Sequence, residues 1–208
     1  MKRITIIMGL VGAVLALAVP ASALRRVPRT GPYFNRLVVS GYAGSGLTVG
    51  EFASSRPGDG NHKSGAVGYA VDVEMFFVPG VSIGATMAGH TFEDRSDPSL
   101  ETNLTTFAGF LRYVAYTGDV VRPFLRIGLG GQRVQFQDRV NRFRSDFATY
   151  VQGGAGVIFR VSNSFSLDGQ ALYNYGFTEN AYVPDADAIV GFDTKYWTLS
   201  GGVSLYFP

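Results

Sequence analysis

Eight stretches of the sequence alternate apolar with small or polar residues at a period of two, and the breaks between them run long, short, long, short. The last stretch shows the pattern most cleanly. Trp197, Leu199, Gly201, Val203, Leu205 and Phe207 interleave with Tyr196, Thr198, Ser200, Gly202, Ser204 and Tyr206. Successive side chains of a strand point to opposite sides, so such a stretch is a β-strand with one apolar face. Earlier strands read over residues 67–77, 81–90, 106–116, 121–137, 147–160 and 165–177. Another lies within 34–52, where Gly41, Gly44, Gly46 and Gly50 blur its facing and leave its two sides unassigned. The short breaks are Val78-Pro79-Gly80, Thr117-Gly118-Asp119 and Ser162-Asn163-Ser164, all turn-forming combinations. The long breaks read as polar loops over 53–63, 93–101, 138–146 and 178–193.

A soluble sandwich has no reason to put every long loop at one end. A barrel crossing an outer membrane does, with short turns on the inner side and longer loops outside. Each strand carries an apolar face of about ten residues, enough to cross the hydrocarbon band when tilted. Closing the sheet pairs every backbone amide where no water is available. The expected fold is therefore all-β, an eight-stranded antiparallel up-and-down transmembrane barrel over residues 33–208, with the last strand pairing the first to remove both sheet edges. Rings at the strand ends suit the boundary of such a band, and Trp197 and Phe207 are expected at its outer and periplasmic edges.

Composition agrees. Charged residues make up 16% of the chain, well below the roughly 25% of a typical soluble domain. A net charge of +2 is too small for a phosphate-tracking surface, so no nucleic acid is expected as a partner. The absence of cysteine excludes disulfides, thiolate metal sites and cysteine nucleophiles.

The first residues read as a targeting element. Lys2 and Arg3 precede an apolar run over 4–19, and Ala21-Ser22-Ala23 forms a small-residue cleavage site. The run is shorter than the roughly 20 residues of a spanning helix. Residues 1–23 are expected to be a signal peptide, and 24–32, with Arg25, Arg26 and Arg29, a periplasmic arm.

Three stretches carry a resemblance: Arg122-Pro123-Phe124-Leu125-Arg126-Ile127-Gly128-Leu129-Gly130, Gly154-Ala155-Gly156-Val157 with the following turn and strand, and the aromatic end at Phe207. Together they resemble the small outer-membrane β-barrels of Gram-negative bacteria, the OmpA/OmpX-like class. The resemblance implies residence in the cell outer membrane among lipid and lipopolysaccharide. It implies handling by the barrel-insertion machinery, for which a terminal Phe is part of the signal in that class. This chain departs from it by placing Pro208 after Phe207. A monomer is expected.

Strand parity sends Asp72, Glu74, Arg112, Arg122, Arg126, Arg160 and Asp168 inward. A barrel of eight strands is only wide enough for side chains to fill, so these acids and arginines are expected to neutralise one another in a lumen network. Two other readings remain: a narrow channel along an arginine-lined lumen, and acid–base chemistry by Asp72 and Glu74, which share a face at i and i+2. His90 lies near Glu93 and Asp94, which makes a hydroxyl, imidazole and acid set conceivable, although a rim position is the simpler expectation. Arg133, Arg139, Arg142 and Arg144 cluster in and beside the third long loop, where lipopolysaccharide phosphates are candidate partners. The fourth long loop is acidic, with Glu179, Asp185, Asp187 and Asp193 among apolar residues. The glycine-rich pieces do not continue into a phosphate loop, and no metal-ligand spacing occurs, so no cofactor is expected. The expected role is structural, or one of interaction through the outer loops, without catalysis. A lipid-modifying barrel enzyme is the most distant alternative.

Overall fold

A computed structural model describes residues 36–49, 66–93, 101–115, 120–137, 142–183 and 188–207. The expected signal peptide, the N-terminal arm, Arg139, His62 and Pro208 lie outside them. The strands are β1 (Leu37–Thr48), β2 (Ala66–Val78), β3 (Val81–Glu93), β4 (Glu101–Val114), β5 (Val121–Gln137), β6 (Arg142–Arg144), β7 (Ala148–Arg160), β8 (Phe165–Val183) and β9 (Ala188–Phe207). Neighbours in sequence pair antiparallel, β5 with β7 past the short β6, and β1 pairs β9 to close the ring. The result is an eight-stranded up-and-down barrel in which β6 pairs with the outer end of β5, beyond the part of β5 that pairs with β7.

Register follows from the alternation. A one-residue slip would turn every apolar side chain into the lumen. Val67, Tyr69, Val71, Val73 and Met75 of β2, Ile83 and Met87 of β3, and Leu199, Val203 and Leu205 of β9 are all between 44% and 80% exposed on the outer wall. A continuous apolar exterior of this extent is a lipid-facing surface, since soluble monomers avoid patches of such size. Trp197 and Phe207 both lie on this wall, and the Tyr173 ring is 5.2 Å from Trp197. Ten positions separate them on β9, about 34 Å of strand and about 24 Å of height at 45° tilt, close to the apolar band of such barrels.

β2 turns into β3 through Pro79 and Gly80. Gly80 has φ 81°, the left-handed conformation glycine adopts without strain, and proline presets the position before it. Inside, glycine makes room for rings. A Cβ on Gly84 would lie 2.5 Å from Phe110 Cζ and 2.6 Å from the Val73 carbonyl oxygen, and one on Gly156 would lie 2.3 Å from Phe124 Cζ.

Two expectations change. The loop expected over 178–193 is largely a hairpin: β8 continues to Val183, β9 begins at Ala188, and pairs run from Thr178 with Phe192 to Val183 with Ala188, across an irregularity between Thr178 and Ala181. Acidic residues interrupt this stretch and obscured its β-branched and aromatic content. The loop expected over 138–146 likewise contains β6, which pairs with the end of β5. The facing of β1 also becomes definite, with Val38, Ser40 and Tyr42 buried inside.

Candidate functional site

The lumen is built in layers. At the end bearing the short turns, Val38, Phe76, Val114, Phe124, Ile158 and Tyr206 form an apolar cluster. At the other end Ala66, Phe92, Leu104, Val134 and Tyr196 form a second. Along the eight barrel strands the inward side chains come from even-numbered positions and their odd neighbours face outward, so the pleat that makes the outer wall also fills the interior.

Charged residues occupy the layer next to the first cluster. Asp72 is 0% exposed, Glu74 2%, Asp168 4%, Arg112 1% and Arg126 2%. Arg112 donates from Nη1 to Glu74 Oε1 at 2.7 Å, and from Nη2 to Asp72 Oδ2 at 3.4 Å and Tyr42 Oη at 3.2 Å. Arg126 grips Asp72 in bidentate fashion, through Nη1 to Oδ2 and through Nη2 to Oδ1 at 3.3 Å. Both guanidinium groups also lie on rings: Arg126 is 3.9 Å from the centre of Phe110 and Arg112 4.7 Å from that of Phe124. These rings are the ones that Gly84 and Gly156 admit.

Asp168 sits across the lumen and is held by hydroxyls. Tyr42 donates to it at 3.3 Å, Ser166 at 2.9 Å, and Ser204 by a further bond. Ser40 joins Ser204 at 2.6 Å, and Ser82 donates to Glu74 at 2.5 Å. Tyr42 thus links the Arg112 pairings to Asp168. Isolated charges at such depth would be prohibitively costly, whereas pairing and hydrogen bonding retain them. Chemically the layer is a cross-brace from β1 to β2, β4, β5, β8 and β9. Both Asp72 oxygens accept from arginine, and each Glu74 oxygen accepts one bond.

The other inward candidates divide. Arg122 is buried on β5. Arg160 is not part of the buried network: it lies two positions beyond Ile158, at the turn, where Nε donates to the Ser162 carbonyl at 3.2 Å and Nη2 to the Asn163 side chain. Parity carried no information on its depth. His90 is not a rim residue. It is 7% exposed in the lumen, with Tyr196 at 5.2 Å and Phe92 at 6.4 Å between ring centres. Glu93, three positions on, falls on the opposite side of β3. Asp94 lies outside the described residues. Among those described, no group of three or more histidine and acidic side chains is placed to hold a metal ion.

Toward the outside, Arg133 lies 4.3 Å from the centre of the Phe147 ring, and β6 sets Arg144 opposite Gln135 and Arg142 opposite Gln137. Several inward groups escaped the sequence reading. Tyr42 and Ser40 were hidden by the glycines of β1, and Ser82, Ser166 and Ser204 are small residues whose only signal was strand parity.

Residues 11–207 match the family model described as outer membrane protein beta-barrel domain. Among solved structures, Neisserial surface protein A is similar at 13% identity and TM-score 0.58, covering 83% of this chain and 96% of that one. Ail, the attachment invasion locus protein of Yersinia pestis, is similar at 15% and 0.52, over 84% and 99%. The outer membrane protein OprG from Pseudomonas aeruginosa is similar at 11% and 0.52, over 85% and 98%. At these identities the likeness concerns the fold alone. No curated protein sequence matches the chain significantly.

Proposed function

The chain belongs to the outer membrane β-barrel family, and from that premise we propose that it is a monomeric, sealed scaffold of the cell outer membrane whose specific work is structural or interactive and is done at its outer end. The observation that carries this reading is the filled lumen: an apolar cluster at each end and a neutralising charged layer between them. A conduit needs a continuous wet path, and this interior offers side chains instead. The outer end, by contrast, is elaborated. Nine positions of β9 precede Trp197, about 30 Å of strand, so the β8–β9 hairpin rises about 20 Å above the aromatic boundary.

Contact with lipopolysaccharide belongs to the same proposal. Arg133 stacks on Phe147, and the backbone of Arg142 and Arg144 lies in register with the end of β5 beyond it. Guanidinium groups suit bidentate phosphate recognition. Refolded protein in planar bilayers with lipopolysaccharide in one leaflet is expected to give no unitary conductance. Its urea midpoint in lipopolysaccharide-containing vesicles is expected to exceed that in phospholipid alone, with a smaller gain for Arg133→Ala. Stable ohmic steps would replace this reading with the channel. An equal gain for Arg133→Ala would remove the lipopolysaccharide contact. A changed lipid A mass on overexpression would favour the enzyme.

A further inference from the structure

Between the charged layer and the outer apolar cluster lies a space of about 30 Å³. Four buried side chains that line it each carry a polar atom with no hydrogen-bond partner: Arg126 Nε, Gln152 Nε2, Gln170 Oε1 and His90 Nδ1. All four residues are more than nine-tenths buried. A donor or acceptor left unpaired away from solvent is costly, and native interiors rarely tolerate one. Four around one cavity point to an occupant.

Size and chemistry specify that occupant. A space needs roughly 10–15 Å³ on this measure to hold a water molecule, and each water needs two to four polar partners. The cavity therefore takes one or two. Arg126 Nε–H and the Gln152 amide donate, while the Gln170 carbonyl accepts, as does His90 Nδ1 when the imidazole proton is on Nε2. Such a set, two donors and two acceptors, is completed by neutral water. An anion would call for a surplus of donors, and a cation would sit beside the Arg126 guanidinium. We propose that this cavity is an internal hydration site, whose water joins His90, Gln152 and Gln170 to the Arg126–Asp72 pair and completes one polar column sealed at both ends. Gly68 serves the site by leaving room for the imidazole: a Cβ there would lie 2.4 Å from His90 Cδ2.

The chain has two histidines, so His62→Ala leaves His90 as a single imidazole probe. In that protein, labelled uniformly with ¹⁵N and refolded into lipid bilayers, water-edited solid-state NMR is expected to show polarisation reaching the His90 ring nitrogens several-fold faster than the amides of Val38 and Leu104 in the two apolar clusters. Transfer no faster than to those amides would mean a dry cavity and would overturn the proposal. Gln170→Leu is expected to reduce the transfer, and an unchanged rate in a folded variant would also count against it. If Gln170→Leu does not fold, the comparison within the His62→Ala protein still decides. A His90 ring shift that moves when bromide replaces chloride at constant ionic strength would identify an anion instead, and would equally overturn it.

Discussion

Asp72→Ala is expected to destabilise the folded barrel by about 3–5 kcal/mol, the cost of breaking a buried ion pair from one side. Asp72 accepts both Arg126 bonds and one from Arg112, and it is 0% exposed. Without it the Arg126 guanidinium keeps its stacking on Phe110 but loses its only carboxylate contact among the described residues. Removing both partners should be milder. Asp72→Ala combined with Arg126→Leu is expected to recover part of the loss, because an apolar pair leaves no uncompensated charge in the lumen. The measurement is equilibrium unfolding by urea in lipid vesicles, followed by the fluorescence of Trp197, the one tryptophan of the chain. A loss below about 1 kcal/mol for Asp72→Ala, the range of a solvated pair, would mean that water reaches the layer.

Val203→Arg tests the outer wall. Val203 is 44% exposed and lies on β9 between Trp197 and Phe207, six positions from one and four from the other. That places it near the middle of the apolar band, where arginine on the lipid face costs about 2–4 kcal/mol. In water the same substitution at a half-exposed strand position would stay within about 0.5 kcal/mol, as most surface changes do. Comparison in vesicles with Val67→Arg, at the outer end of β2, separates depth from strand propensity. Val67 is 80% exposed, and its variant is expected to lose about 1 kcal/mol or less, as near an interface. Equal losses at the two sites would contradict the depth assigned to them.

The two tests also mark where the sequence was informative. Alternation sent Val203 outward and Asp72, Glu74, Arg112, Arg126 and Asp168 inward, because a pleated strand leaves only two directions for a side chain. It said nothing of height along the barrel axis. Arg160 has inward parity yet ends in the turn with Ser162 and Asn163. His90 seemed a rim residue, whereas the outer ends of β3 and β9 extend far enough to bury it under Tyr196. Height depends on register and on strand length, and the acidic residues of 178–193 disguised the length of β8 and β9. Glycine hid the rest. In β1 it erased the alternation that would have placed Tyr42 beside Arg112 and Asp168, although that tyrosine joins the two halves of the network. Serine pairs such as Ser40 with Ser204 become visible only once the closing strands are aligned.

A sealed lumen can be measured directly, because the chain contains no native cysteine. Thr86 lines the internal cavity, is 6% exposed, and is close to cysteine in size. In Thr86→Cys barrels in intact outer membranes, a membrane-impermeant maleimide added from outside is expected to leave the thiol unlabelled, with full labelling after unfolding. Rapid labelling of the folded barrel would show an open path from the cell surface to the middle of the lumen, and would contradict the sealed scaffold.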